Sequence, residues 1–310
     1  MKYLGKGISG AKIILTGEHA VVYGTPAIAV PFNGVETKIS VYKTNNELSV
    51  ESRFHTGLLK DGTHTILGFQ SLVYKILDDF KVKRYGLHFK VESNIEPQRG
   101  MGSSAALSVA LTKALFNAFN KELSSEDLIK YSMYAEKIHH TNPSGLDVYT
   151  LVYQTPLSFV RNEGFKKVNI NLDAHLIIID TKVMSQTKIT VENVAKLNLK
   201  NPTLTNKIFK NITNISNEAI YSLENNDLKR LNELMDLNQK ELERLEVSND
   251  TIKNTIDKAK RLGLSGLKLT GGGLGGCIIA LSNNSDIINR VKNEFDNVWD
   301  YNLGELKSES

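Results

Sequence analysis

One cysteine, Cys277, occurs in the 310 residues. That excludes an internal disulfide framework and points to a reducing compartment. Long apolar runs are missing too. No stretch approaches the roughly 20 residues a membrane helix needs, and Met1-Lys2-Tyr3-Leu4-Gly5 lacks the apolar core of a signal peptide. A cytoplasmic protein without a membrane segment is the expectation. Charge of one sign is also scarce: 38 Lys and Arg face 34 Asp and Glu, a net of +4. No basic block is interleaved with aromatics, so no nucleic-acid surface is expected, while anionic small molecules remain open as ligands. The 41% of hydrophobic residues suffices for a core in one large domain or two modest ones.

Internal repeats are absent, and strands alternate with helices. Ala11–Leu15 and Ala27–Val30 are short apolar runs beside glycine or proline; Val35–Tyr42 and Leu87–Val91 alternate apolar with polar, so all four predict strands. Ile66–Phe80 and Ser103–Phe119 predict helices. Ser124 or Ser125 can cap a third helix, with Leu128, Tyr131, Ala135 and Ile138 on one face, which must end before Pro143. After a buried-strand run at Leu176–Ile179 come three apolar stripes at helical spacing. They are Ile208 to Leu223, Leu228 to Leu242 and Ile252 to Ala259, each expected to pack in a core. Leu267–Leu269 and Cys277–Leu281 are strands around a glycine loop. The expected division is 1–175 and 176–310, the second part richer in helix.

Two glycine strings are not dinucleotide sites. Gly5-Lys6-Gly7-Ile8-Ser9-Gly10 has no strand before it and a strand after it; Gly271 to Gly276 lies between two strands. A dinucleotide fingerprint needs strand, turn and then helix. A Walker loop fails because Ala11 and Lys12 follow Gly10 where Lys and Ser/Thr belong, and the protein-kinase signatures H-R-D and D-F-G are absent. The better phosphate site is Glu96-Pro97-Gln98-Arg99-Gly100-Met101-Gly102-Ser103-Ser104-Ala105-Ala106, a glycine turn running into a helix start. Gly100 and Gly102 permit close approach and positive φ, Ser103 and Ser104 offer hydroxyls, and the first-turn N–H groups face an anion. A nucleoside triphosphate is the expected ligand, although a turn that merely caps a helix would carry the same residues.

Two carboxylates follow. Glu136 lies late in the third helix and Asp147 beyond a turn through Asn142-Pro143-Ser144-Gly145, so they could converge, one on Mg²⁺ and one on a proton. Lys12 stands inside the apolar run Ala11–Leu15, where a lysine is costly unless paired; an outward-facing lysine on an edge strand is the other reading. Adjacent His139 and His140 point apart on a helix and predict packing or surface roles rather than a metal. Cys277 is expected to be a buried small hydrophobe.

Taken together, these blocks resemble a known family. Ala11 to Gly24 is similar to the first motif of mevalonate kinases. Pro97 to Ala106 resembles the phosphate loop of the wider superfamily of galactokinase, homoserine kinase, mevalonate kinase and phosphomevalonate kinase. Glu136 to Asp147 is similar to the stretch carrying a metal ligand and the catalytic aspartate, and Leu269 to Cys277 to the third, glycine-rich motif. Leu234-Met235-Asp236-Leu237-Asn238-Gln239 also resembles this family. The blocks come in the family's order and span nearly the whole chain.

The resemblance implies an α+β fold, a two-lobed small-molecule kinase with mixed sheets and helices and a cleft between the lobes. It implies ATP and Mg²⁺ as cofactors and mevalonate as the substrate, phosphorylated on its C5 hydroxyl. Asp147 would accept the hydroxyl proton, and Lys12 would steady that aspartate and the alkoxide. Pro97, Gly100, Met101, Gly102, Ser103, Ser104 and Ala105 would wrap the phosphates, with Ser104 and Glu136 holding the metal. Glu18, His19, Ser144, Thr187 and Gly272 would lie on the substrate side. Positive charge against a γ-phosphate is what phosphoryl transfer asks for.

Three positions depart from the family pattern. Met101 replaces leucine, a volume-conserving change; Gly272 replaces alanine, which should loosen that turn and widen the substrate pocket; Thr141 replaces a glycine. Glu18-His19 favours mevalonate over galactose, and His19 counts against phosphomevalonate, whose kinases resemble Gly-Glu-Tyr here. Lys12, Arg99 or Lys182 could meet the substrate carboxylate. Alternatives are phosphomevalonate kinase, another small-molecule kinase of the superfamily, or a non-catalytic sensor of ATP and a metabolite. A homodimer is the default expectation for assembly.

Overall fold

A computed structural model describes residues 1–139, 143–161 and 163–306. His140 and Thr141 therefore lie outside the described residues. The chain forms two compact units, and they interleave: Met1–Ala11, Val35–Glu96 and Gly102–Tyr153 make the first, Lys12–Gly34, Pro97–Met101 and residues from 154 onward the second. A single cut near residue 175 does not describe this arrangement. The reason lies in the first two strands, β1 (Lys2–Thr16) and β2 (Ala27–Glu47), each long enough to belong to both units. The strands expected at 27–30 and 35–42 are one strand, continuous through Pro31 and Gly34.

In the first unit follow β3 (Ser49–Glu51), β4 (Thr56–Leu58), α1 (Leu67–Asp79) and β5 (Tyr85–Ser93). After them come α2 (Ser103–Ala118), α3 (Ser125–His139) and α4 (Leu146–Tyr153). β2 pairs antiparallel with β5, setting Ile39 against Val91 and Val41 against Phe89, and β3 adds parallel to β5. Alternation in β2 and β5 puts Ile39, Val41, Leu87 and Phe89 into one core with Leu72, Val73 and Ile76 of α1 and Leu111 and Leu115 of α2. Ser124 starts α3 by accepting the Asp127 N–H at 3.0 Å. The helix α4 follows the expected turn directly and carries Asp147 in its first turn.

The first glycine string lies within β1. A Cβ on Gly7 would come 2.1 Å from the Ala110 carbonyl, and one on Gly5 2.6 Å from the Ala118 nitrogen. These glycines serve helix packing: α2 lies directly on the strand backbone.

The second unit continues with β6 (Leu157–Val160) and β7 (Gly164–Lys167), an antiparallel pair added to residues 27–29 of β2. Then come β8 (His175–Asp180), α5 (Thr187–Lys200), α6 (Pro202–Glu224), α7 (Leu228–Arg244) and α8 (Asp250–Arg261). β9 (Lys268–Thr270), β10 (Cys277–Ser282), α9 (Ser285–Glu294) and β11 (Val298–Asn302) complete it. The strand order is β11-β8-β10-β9, antiparallel throughout. Ile177, Ile179, Leu269 and Ile278 share a core with Ile208 and Ile212 of α6, Leu242 of α7, and Ile252, Ile256 and Ala259 of α8. Helix starts are fixed by side chains: Asn201, Asp227 and Asn249 each accept an N–H of the following first turn. Among the described residues no helix is long and apolar enough to cross a membrane.

Because the contact at Gly7 is with backbone, Gly7→Ala should overpack the interface and cost about 2 kcal/mol. A urea midpoint that falls accordingly, without a change in slope, is the expected result.

Candidate active site

Within the first unit, Gly102 precedes α2 in the left-handed conformation (φ 74°), and no side chain caps it. The N–H groups of Ser103, Ser104 and Ala105 belong to the first turn, where the helix supplies no acceptor for them. An anion there would meet aligned N–H groups with the dipole behind. The Ser104 hydroxyl donates to Glu136 Oε1 at 2.5 Å, joining α2 to α3, and the Glu136 side chain is buried. A hydroxyl and a carboxylate oxygen are hard donors. Among the described residues no group of three His, Cys, Asp or Glu side chains gathers to hold a metal. Such a pair suits a magnesium ion that keeps water and phosphate oxygens as its other ligands. Asp147 sits at the start of α4, where a helix N-terminus favours a carboxylate. Ser144 is engaged locally, its hydroxyl accepting the Leu146 N–H at 3.3 Å.

Within the second unit, three stretches converge. Lys12 is 2% exposed; its N–H donates to the Met101 carbonyl at 3.0 Å and its ammonium to the Gly100 carbonyl at 3.1 Å. The edge-strand reading of Lys12 is thereby replaced by a buried one. Thr270 exchanges hydrogen bonds with the Ile14 backbone, both at 3.1 Å. Gly100 (φ 82°) and Gly271 (φ 78°) pass so close that a Cβ on Gly271 would be 2.4 Å from the Gly100 Cα. Met101 is buried, in keeping with its replacement of another large apolar residue.

Glu18 is bound by the ammonium of Lys268, and both side chains are buried. Burial pushes the Glu18 carboxyl up from its ordinary value, and the Lys268 charge opposes that rise. The Lys268 ammonium is pushed down by the same burial and held up by Glu18. Lys268 was not singled out from the sequence. The signal was there, since Leu267-Lys268-Leu269 places a lysine inside an apolar strand as Ala11-Lys12-Ile13 does.

His19 has φ 61° and is buried, which holds its imidazole down to about 4 despite hydrogen bonding to the Gly272 and Gly271 backbone. Its ring is neutral at pH 7. Glu18 Oε2 and His19 Nε2 are buried with no hydrogen-bond partner among the described residues.

Thr187 opens α5 beside the glycine loop. A Cβ on Gly272 would lie 2.0 Å from the Thr187 hydroxyl and 2.5 Å from that of Ser185. The room left by the missing methyl is thus occupied by hydroxyls, and the expected widening of the pocket does not occur. Two of the cations weighed for the substrate carboxylate are otherwise engaged: Arg99 pairs with Asp180 and Lys182 with Asp296. The motif around Asp236 acts as a brace. Gln239 accepts the Leu269 N–H at 3.0 Å and Asp236 those of Gly266 and Leu267, both at 3.3 Å, fixing the strand that leads into the glycine loop. Cys277 is fully buried, and burial pushes its thiol up, leaving an inert apolar side chain.

The model of the GHMP kinases N terminal domain matches residues 71–155, and that of the GHMP kinases C terminal matches residues 219–300. The chain belongs to the GHMP kinase family. A mevalonate kinase of Archaeoglobus fulgidus is 32% identical over 277 residues, spanning 87% of this chain and 89% of that protein. One from Aeropyrum pernix is 29% identical over 296 residues, covering 93% and 91%. The crystal structure of L. major mevalonate kinase in complex with R-mevalonate superposes with a TM-score of 0.79 at 27% identity, covering 96% of this chain and 95% of that one. Membership of this family carries the two-part α+β fold expected from the sequence.

Two outcomes follow from the site. Between pH 6.5 and about 4 the unfolded chain binds a proton at His19 that the folded chain refuses. The stability from this residue is whole above pH 6.5 and falls away on acidification, by up to about 3 kcal/mol. Urea unfolding at the two pH values should show that loss, and His19→Asn should lack it. Gly272→Ala should displace the Thr187 and Ser185 hydroxyls and cost about 2 kcal/mol of stability, seen as a lower urea midpoint.

Proposed function

We propose that this chain phosphorylates mevalonate, transferring the γ-phosphoryl group of ATP to the C5 hydroxyl to give 5-phosphomevalonate in isoprenoid precursor synthesis. The observation that carries the reading is its near end-to-end similarity to mevalonate kinases, one of them with R-mevalonate bound. His19 after Glu18 and the presence together of Lys12, Ser104, Glu136 and Asp147 support it.

In this reading Asp147 takes the proton from the C5 hydroxyl. The alcohol oxygen forms its bond to the γ-phosphorus as the bond to the β-phosphate oxygen breaks, and ADP leaves with that electron pair. Lys12 supplies positive charge to the forming alkoxide. Pro97, Gly100, Met101, Gly102, Ser103, Ser104 and Ala105 hold the phosphates, largely through main-chain N–H groups. Ser104 and Glu136 hold Mg²⁺, which when bound offsets charge on the phosphate oxygens. Thr187, Gly272, Ser144 and His19 bound the substrate. The neutral imidazole of His19 is suited to a hydroxyl group and not to a carboxylate. Glu18 acts one step back, through its pair with Lys268. A lone buried cysteine suits the reducing cytoplasm.

ADP release with Mg-ATP, offering mevalonate, phosphomevalonate, galactose and homoserine separately, tests the reading. Turnover with mevalonate alone is expected, and Asp147→Asn should lower it by about a thousandfold with ATP affinity nearly unchanged. Turnover with another acceptor would replace the substrate assignment. Nucleotide binding without turnover on any of the four would favour a sensor.

A further inference from the structure

The residue ahead of Gly100 carries a side chain that turns away from the loop it belongs to. Arg99 Nε lies 3.0 and 3.1 Å from the two carboxylate oxygens of Asp180, the last residue of β8. The Asp180 side chain is only 2% exposed, and that of Arg99 13%. Asp180 is itself immobilised: its Oδ1 accepts the Lys182 N–H at 2.8 Å, its own N–H donates to the Asn297 carbonyl at 3.1 Å, and it pairs with Cys277 across the sheet. The carboxylate is therefore a fixed point at a buried strand end.

The surrounding main chain links this point to the glycine loops. The Cys277 N–H donates to the Arg99 carbonyl at 3.0 Å and the Ser185 N–H to the Gln98 carbonyl at 2.7 Å. One residue further on, the Gly100 carbonyl receives the Lys12 ammonium. A shift of Arg99 along its own axis would carry Gly100 and Lys12 with it.

Stability alone does not account for the pair. Buried ion pairs gain little over apolar replacements of the same volume. Arg99 Nη1 is buried without a hydrogen-bond partner among the described residues, a further cost. What an ion pair offers is direction: two charges at hydrogen-bond distance admit one placement, where apolar contact admits many.

We propose that Arg99 and Asp180 are a positioning pair for phosphate binding. They fix residues 97–101 against β8 and so set where the Gly100 carbonyl holds the Lys12 ammonium. The pair is neutral overall and touches no reacting atom, so its effect on nucleotide is geometric. The proposal rests on the kinase reading, and a binding measurement separates the two.

Titration calorimetry with a non-hydrolysable ATP analogue and Mg²⁺ requires no acceptor. Asp180→Asn should raise its Kd by about tenfold, and the KM for ATP in parallel, with the KM for the acceptor unchanged. Arg99→Met combined with Asp180→Leu should recover the thermal midpoint of the parent yet keep the raised Kd. Arg99→Lys, the mildest change, should also bind more weakly. Any of these variants that folds and binds the analogue like the parent overturns the proposal, as does a double variant that recovers both properties. A parent that fails to bind the analogue at all removes the kinase reading and the proposal with it.

Discussion

The placement of Lys12 and Thr270 in the second unit depends on one close approach, that of the Gly100 backbone to Gly271. A methyl group on Gly100 would stand 2.2 Å from the Thr270 carbonyl, and one on Gly271 2.4 Å from the Gly100 Cα. Neither position tolerates a side chain, and both have positive φ. Two segments far apart in sequence are thereby brought into direct backbone contact. The neighbouring hydrogen bonds, Thr270 to Ile14 and Lys12 to Gly100 and Met101, follow from that contact. Glycine here provides nearness, which is why the third motif spells a dinucleotide fingerprint without being one.

Around that contact the molecule buries charge. Lys12, Lys268 and Glu18 sit together with a net positive charge, and each affects the ionisation of its neighbours. Such groups are expensive away from water unless paired. A kinase of this family must counter a γ-phosphate, and a low-dielectric cation does so more strongly than an exposed one. Glu18 opposes the loss of charge that burial imposes on Lys268, while the Lys12 ammonium donates to the Gly100 carbonyl. The Arg99–Asp180 pair, neutral overall, holds the same loop without adding to the field.

Much of this was legible in the sequence, for reasons that differ by element. Amphipathic stripes announced α6, α7 and α8 because helix faces repeat within a few residues; in α8 the buried residues are the ones the stripe named, while α6 also buries Phe209 and α7 buries Met235, Asn238 and Gln239 but leaves Leu228 half-buried. The resemblance implies that Ser104 and Glu136 share a metal ion; the Ser104 hydroxyl donates to Glu136, a contact that a sequence separation of 32 residues does not announce. Long-range consequences were hidden. The interleaving of the units arises because β1 and β2 run on past their apolar segments, and nothing within a short window reports that length. Gly5 and Gly7 resembled a ligand loop because the helix that covers them lies about a hundred residues away. Lys268 went unremarked although its apolar neighbours carried the same signal as those of Lys12. Gly272 invited a wider pocket because a sequence cannot say which hydroxyl fills the space.

Which alcohol receives the phosphate decides whether this chain is a mevalonate 5-kinase. Proton-coupled phosphorus NMR of the product formed by the purified chain from Mg-ATP and mevalonate reads this directly. Phosphate on the C5 oxygen is bonded next to a CH₂ group, so its resonance should be a phosphomonoester triplet alongside ADP. A singlet would place the phosphate on the tertiary hydroxyl, and ADP with inorganic phosphate alone would mean that no alcohol accepts it; either result contradicts the account.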